Sequence, residues 1–109
     1  MAQRSKLCQS IGLAMKAGRL VSGDFAVEKL VRAGKALLVL IDETASDNTR
    51  EKYARLCANA HVMLIDAPEL GASIGKPARM LAAVTDENFA NLILRAANGD
   101  GEDHTNDRG

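Results

Sequence analysis

Apolar positions in this chain switch repeatedly between a helical spacing and short unbroken runs. Residues 3–17 space Leu7, Ile11, Ala14 and Met15 along one helix face and put Arg4, Lys6 and Lys16 elsewhere. Gly18 ends that helix, and Leu20, Val21 and Ser22 read as a short extended piece. Gly23 and Asp24 open a helix with Val27, Leu30 and Val31 inward, which stops at Gly34. The aliphatic run at 36–41 has strand length and no polar face, so it predicts a central strand covered on both sides. Acids and hydroxyls at 42–46 form the turn after it.

Ser46 is a suitable N-cap, and Asp47 suits the first turn of a helix running to about residue 58. That helix should bury Tyr53, Leu56 and Cys57. A strand is expected at 62–65. Asp66 and Glu69, with Pro68 between them, then read as a capping box for a short helix stopped by Gly75 and Pro77. The last strand falls at 79–84, and Thr85 reads as the cap of a final helix with Phe89, Leu92, Ile93 and Ala96 inward. From residue 98 onward nothing apolar can anchor the chain, so 98–109 is expected to be a disordered acidic tail.

Alternation of this kind predicts an α/β fold, a three-layer α/β/α sandwich around a small mixed sheet, forming one domain over residues 1–97. With 109 residues the chain is long enough to bury a core without staples. The formal charge of zero hides an asymmetry: residues 1–97 carry thirteen basic and ten acidic side chains, a net +3. No acid precedes Asp24, while Arg4, Lys6, Lys16 and Arg19 all do. A basic N-terminal quarter points towards nucleic acid, with a solvated surface as the alternative. Cys8 and Cys57 lack metal-ligand spacing, and free thiols without a signal-peptide pattern suit a reducing cytoplasm. The longest apolar run is far too short to span a membrane. With only Phe25, Tyr53 and Phe89 as aromatics, a surface stacking several bases is not expected.

Several patterns invite chemistry. Gly71-Ala-Ser-Ile-Gly75 spells a nucleophile elbow, but that chemistry needs Ser73 on a strand-to-helix turn with a histidine in reach, and only His104 lies downstream. The stretch from Gly71 to Lys76 fails as a phosphate loop, since it has three residues between its glycines and Pro77 after the lysine. His61 has no partner at metal-ligand spacing, and Asp42 and Glu43 read as solvated turn acids. No catalytic residue, metal site or cofactor is therefore assigned. Two basic stretches remain. The glycine at 23 opens a helix entrance to an anionic partner, or is an ordinary turn. The loop Gly75-Lys-Pro-Ala-Arg79 holds Lys76 and Arg79 on a rigid backbone, as a phosphate clamp or as a plain connector.

Taken together, AGRLVSG, RAGKALLVLIDE, SDNT, ELGASIGKPAR and AAVTD resemble the ribosomal protein L7Ae and L30e family, which binds kink-turn RNA. The likeness covers about residues 5–95 and falls nearest the family's stand-alone bacterial branch. It implies a four-stranded mixed sheet and a non-catalytic partner of structured, kink-turn-like RNA, ribosomal RNA included. It implies neither a membrane nor a small-molecule substrate, and a monomer is expected. The site residues it implies are Gly23, Asp24, Phe25, Lys29, Arg32, Gly75, Lys76 and Arg79. One departure is plain. Family members carry Asn-Glu where this chain has Phe25 and Ala26, and a basic residue where it has Leu37. Loss of that base-reading pair implies weaker or different selectivity, because side-chain contacts to base edges discriminate while phosphate contacts only position. A protein-interaction module that kept the fold and lost kink-turn specificity is the alternative reading. A hydrolase using Ser73 is the third.

Overall fold

A computed structural model describes residues 2–99. Its elements run α1 (Ala2–Lys16), β1 (Leu20–Ser22), α2 (Asp24–Arg32), β2 (Leu38–Asp42) and α3 (Asp47–Ala60), then β3 (Leu64–Ala67), α4 (Leu70–Ser73), β4 (Leu81–Val84) and α5 (Glu87–Asn98). The strands form one mixed sheet in the order β1-β4-β2-β3. β4 runs antiparallel to both β1 and β2, whereas β2 and β3 are parallel. β2 is interior and buried at every position, as its unbroken aliphatic run predicts.

Strand alternation divides the core. Leu38 and Leu40 of β2, with Ala82 and Val84 of β4, face a cluster completed by Leu7, Ile11 and Ala14 of α1, Leu70 of α4 and Ile93 of α5. The residues between them, Val39, Ile41, Leu81 and Ala83, face the opposite cluster, with Val27 and Val31 of α2 and Tyr53 and Cys57 of α3. Two helix layers thus sandwich the sheet. Removing one of these side chains, Leu40→Ala for instance, falls in the class of core truncations costing about 2–5 kcal/mol.

The sequence pattern misplaces several local features. β3 continues through Asp66 and Ala67, because Ile41 and Asp42 pair with them across the parallel ladder. Asp66 is therefore no helix cap; its carboxylate pairs with Arg50 at 2.8 Å. Glu69 precedes α4 in the left-handed region (φ 52°) and supplies no side-chain cap. The final helix is capped by Asp86, whose carboxylate accepts from the Phe89 amide, rather than by Thr85. Its buried stripe is Ala90, Ile93 and Ala96, while Leu92 is exposed. Small residues prevail there because α5 packs along α1, which buries Ala14 and Ser10. α5 also runs through Asn98 and ends at Gly99 (φ 77°), past the boundary expected at 97. Residues 100–109 of the expected acidic tail lie outside the described residues.

Asp42 corrects another expectation. It is buried, at 6 % exposure, and not a solvated turn acid. One carboxylate oxygen accepts from the Leu70 amide at 2.8 Å and the other from the Thr44 amide (3.0 Å) and hydroxyl (2.5 Å). Leu70 opens α4, so a residue 28 positions upstream satisfies an amide that its own helix leaves unpaired. Burial alone would push the Asp42 carboxyl up. The bonds from Thr44 and Leu70, helped by the Arg50 charge, outweigh burial and hold it below the ordinary aspartate value.

Asp42→Ala is expected to lower stability by about 1–3 kcal/mol, because the buried Leu70 amide loses its acceptor. The carboxyl ionises more readily folded than unfolded. Its contribution is therefore complete above the ordinary value of 3.8 and is lost as pH falls through the lower folded value. Denaturant titrations from pH 6 downward should show a flatter acid decline in Asp42→Asn than in the parent; superimposable profiles would remove Asp42 as the acid-sensitive group.

Candidate functional site

Register between the strands brings the two basic stretches together. Ser22 pairs with Ala82 at the end of the β1–β4 ladder, and the Gly23 amide donates to the Leu81 carbonyl at 2.9 Å. Residues just before Leu81 must then lie beside the α2 entrance. Arg79 does: its guanidinium Nη1 donates to the Ser22 carbonyl at 3.1 Å, a contact across 57 residues. The same nitrogen fills the space over Gly23, and a Cβ there would collide with it. Gly23 itself has φ 105° and ψ 145°, a conformation essentially confined to glycine. The sequence leaves this opening to an anionic partner or to an ordinary turn; in the structure the molecule's own Arg79 occupies it.

The 75–79 loop is built by the end of α4. Gly75 adopts φ 74°, its amide bonds the Ala72 carbonyl (3.2 Å), and the Lys76 amide bonds the Gly71 carbonyl (2.8 Å). These two bonds form a Schellman motif. The chain then folds back over Gly71, where a Cβ would stand 2.6 Å from the Pro77 carbonyl oxygen and 2.7 Å from that of Lys76. Gly71 went unremarked as a site residue in the sequence. The available signal was a glycine inside a helix, four places before another. Lys76 and Arg79 both end up exposed, as do Lys29 and Phe25.

Between the α2 entrance, the first turn of α3 and this loop lies a recess of about 310 Å³, lined by Gly23, Asp24, Thr49, Ala78, Arg79 and Met80. Thr49, Ala78 and Met80 carry no motif, so periodicity could not nominate them. The Asp24 carboxylate turns towards α3, taking the Tyr53 hydroxyl at 2.5 Å and Lys52 Nζ at 3.4 Å. The buried Tyr53 ring thereby pins the start of α2 to α3. Burial, with the Asp24 bond next, pushes its phenol well above the ordinary tyrosine range, so it stays a donor at any working pH.

Arg32 is not brought to this group. It sits roughly 12 Å along α2 from Asp24, at eight residues of 1.5 Å rise. There it pairs with Glu28 at 2.8 Å, and Lys52 reaches the same carboxylate at 2.9 Å. The bond from Lys52, then that from Arg32, holds the Glu28 carboxyl below its ordinary value. Phe25, Lys29 and Arg32 nevertheless share one outward stripe of α2 by their i, i+4, i+7 spacing. Leu37, half exposed, lies beside Val84, at the opposite end of β4 from Leu81. Ser73 closes α4 with its hydroxyl on the Glu69 carbonyl (3.0 Å), and does not occupy a strand-to-helix turn. Among the described residues no set of three or more His, Cys, Asp or Glu is grouped to hold a metal ion, and no helix is long and apolar enough to cross a membrane.

A mixed four-stranded sheet between two helix layers, with the Arg79 loop seated on the α2 entrance, makes this a small α/β/α sandwich protein. The chain belongs to the ribosomal protein L7Ae/L30e/S12e/Gadd45 family, matching it over residues 5–94. It is 42 % identical over 87 residues to the RNA-binding protein YlxQ of Bacillus subtilis (strain 168), covering 77 % of this chain and 87 % of that one. The Enterococcus faecium RNA-binding protein YlxQ is 34 % identical over 90 residues, covering 80 % and 86 %. Among solved structures, a protein of unknown function from Bacillus halodurans superposes with a TM-score of 0.79 at 27 % identity, covering 85 % of this chain and 97 % of that one. The 15.5 kDa RNA-binding protein of Giardia lamblia shares the fold, at TM-score 0.71 and 17 % identity, covering 91 % and 88 %.

Gly23→Ala should cost about 1–3 kcal/mol from backbone strain alone. It should also displace Arg79. Pairing it with Arg79→Ala is expected to relieve the collision but not the strain, so the double variant stays less stable than Arg79→Ala alone. Equal melting temperatures for those two proteins would show that the 23-position backbone relaxes freely.

Proposed function

We infer that this protein binds structured RNA without catalysing a reaction on it. The RNA lies across the α2 entrance and the 75–79 loop. The observation that carries this reading is the joining of the two basic stretches, Arg79 lying on Gly23 and bonding Ser22. Family membership and two relatives named as RNA-binding proteins support it. Lys29, Lys76 and Arg79 are exposed cations suited to phosphates, while Gly23, Asp24, Phe25 and Gly75 shape the surface between them. Arg32 extends the same stripe from beyond the Glu28 pair.

The partner class is RNA with a sharply kinked backbone, ribosomal RNA included. Phe25 and Ala26 cannot make the paired hydrogen bonds by which an Asn-Glu pair reads base edges, so selectivity for sheared G·A pairs is reduced in this chain. The two cysteines are free, which suits a reducing cytoplasm, and we read the protein as a monomer.

Lys76→Ala and Arg79→Ala are each expected to weaken binding to a labelled kink-turn RNA about equally across sequences, and to lower the slope of log affinity against log salt by about 1. Both should keep the parent's circular dichroism. Parent-like binding by both variants would make the loop a connector only. Phe25→Asn with Ala26→Glu should shift preference towards the kink-turn RNA, over the same RNA with its G·A pairs made Watson–Crick, by roughly 1–3 kcal/mol. A folded double variant with no such preference would move the site to another surface.

A further inference from the structure

Phe25 is 83 % exposed, well above the other large apolar side chains left in solvent, of which Met63 at 55 % is next. It has no part in either core cluster. Single exposed apolar residues are common on protein surfaces, and exposure alone would carry nothing. Position is what sets Phe25 apart. It stands in the first turn of α2, two residues from the glycine on which Arg79 rests. One helical turn further along the same stripe is Lys29, roughly 5–6 Å away between Cβ atoms. A flat ring without donors or acceptors thus stands between exposed cations, in the place where the family's base-reading amide would be.

We propose that Phe25 is a stacking platform for one unpaired nucleobase, extruded from the RNA whose phosphates meet Lys29 and Arg79. The inference rests on the RNA reading above and names what that surface selects. A hydrogen-bonding pair reads the edges of bases that stay paired. An aromatic face instead takes the π-face of a base already out of its stack, with little preference among the four. Little has to move for the ring to do this, since most of its surface is exposed and it belongs to neither core cluster. The favoured ligand is accordingly a bulge or loop nucleotide beside a kinked backbone, chosen by shape and by the absence of a pairing partner. Charge complementarity favours this occupant over a second copy of the chain, because the flanking Lys29, Lys76 and Arg79 would face their like in a symmetric contact.

The test uses three fluorescein-labelled RNA hairpins: one with a three-purine bulge, one with the same stem fully paired, and one with abasic nucleotides in the bulge. The parent should prefer the purine bulge. Phe25→Ala should lose roughly five- to a hundredfold in affinity for that hairpin and change less than about twofold on the abasic one. The chain contains no tryptophan, so Phe25→Trp places a single indole at the site. Its emission should be quenched by the purine bulge and not by the abasic bulge, with affinity retained. If Phe25→Ala binds the purine bulge like the parent while Lys76→Ala and Arg79→Ala do not, the stacking role falls and the RNA surface stands. Equal losses on all three hairpins would also overturn stacking. Should the parent bind none of them, both readings fall. Sedimentation showing that Phe25→Ala dissolves a dimer, with RNA affinity unchanged, would assign the ring to contact between copies.

Discussion

The carboxylate of Asp42 is the constraint on which the placement of α4 and the 75–79 loop depends. It lies at the last position of the central strand, where the ladder to β3 ends and the chain must turn. A charge buried there would be costly if left bare. Instead it takes the first amide of α4 and both donors of Thr44. Arg50 braces the same corner by donating to the carbonyls of Asp42 (3.2 Å) and Glu43 (2.8 Å). α4 is a single turn and cannot hold its own direction. Its orientation comes from Asp42 at one end and from burial of Leu70 and Gly71 beneath it. The 75–79 loop leaves from the other end, so the placement of Lys76 and Arg79 goes back to a carboxylate on a different element.

Sheet register completes what Asp42 begins. The Asp42 amide donates to the Met80 carbonyl at 2.8 Å, tying the loop's far end to the same strand terminus. From there β4 runs between β1 and β2, and its pairing with β1 fixes Gly23 opposite Leu81. Arg79 then reaches Ser22 without any designed motif on either segment. The guanidinium lies where the α2 entrance leaves amides unpaired, so its charge adds to the positive end of the helix dipole. An anion arriving here meets a cation already positioned. The cost of ordering a long side chain has been met on folding rather than on binding.

Period and run length in the sequence were enough to find the strands and helices in order, though not all their ends, because each strand is either a continuous aliphatic run or a short piece between glycine or proline breaks. They failed where a distant partner decides a local matter. Asp66 and Glu69 have capping-box spacing, but pairing with β2 keeps Asp66 in the strand, and the cap comes from Asp42. Asp42 looked like a solvated acid because nothing nearby in sequence could satisfy it except Thr44. Leu92 looked inward by hydrophobicity, yet the α1–α5 contact is closed by alanines, whose small size lets the helices approach. Of the residues assigned to the site, Gly23 and Arg79 touch, Lys76 rides on the same loop and Phe25 stands in the next turn. Arg32 belongs to the far end of α2, since a charge count along a helix says nothing of which end faces the loop.

On the proposed RNA reading, selectivity of this surface comes from geometry more than from base edges. Cations on a fixed loop and helix measure the path of a phosphate backbone, and a straight duplex and a kinked one present different paths. The recess beside Met80 and Thr49 offers room for a group that protrudes from the partner's surface. An exposed aromatic ring adds a demand that fully paired RNA cannot meet without losing a base from its stack, at a cost of a few kcal/mol. RNA that has already broken that pair avoids the cost. With Phe25 as the proposed platform, discrimination between bulged and regular RNA would need no hydrogen-bonding reader, and it would be insensitive to which bases the bulge contains.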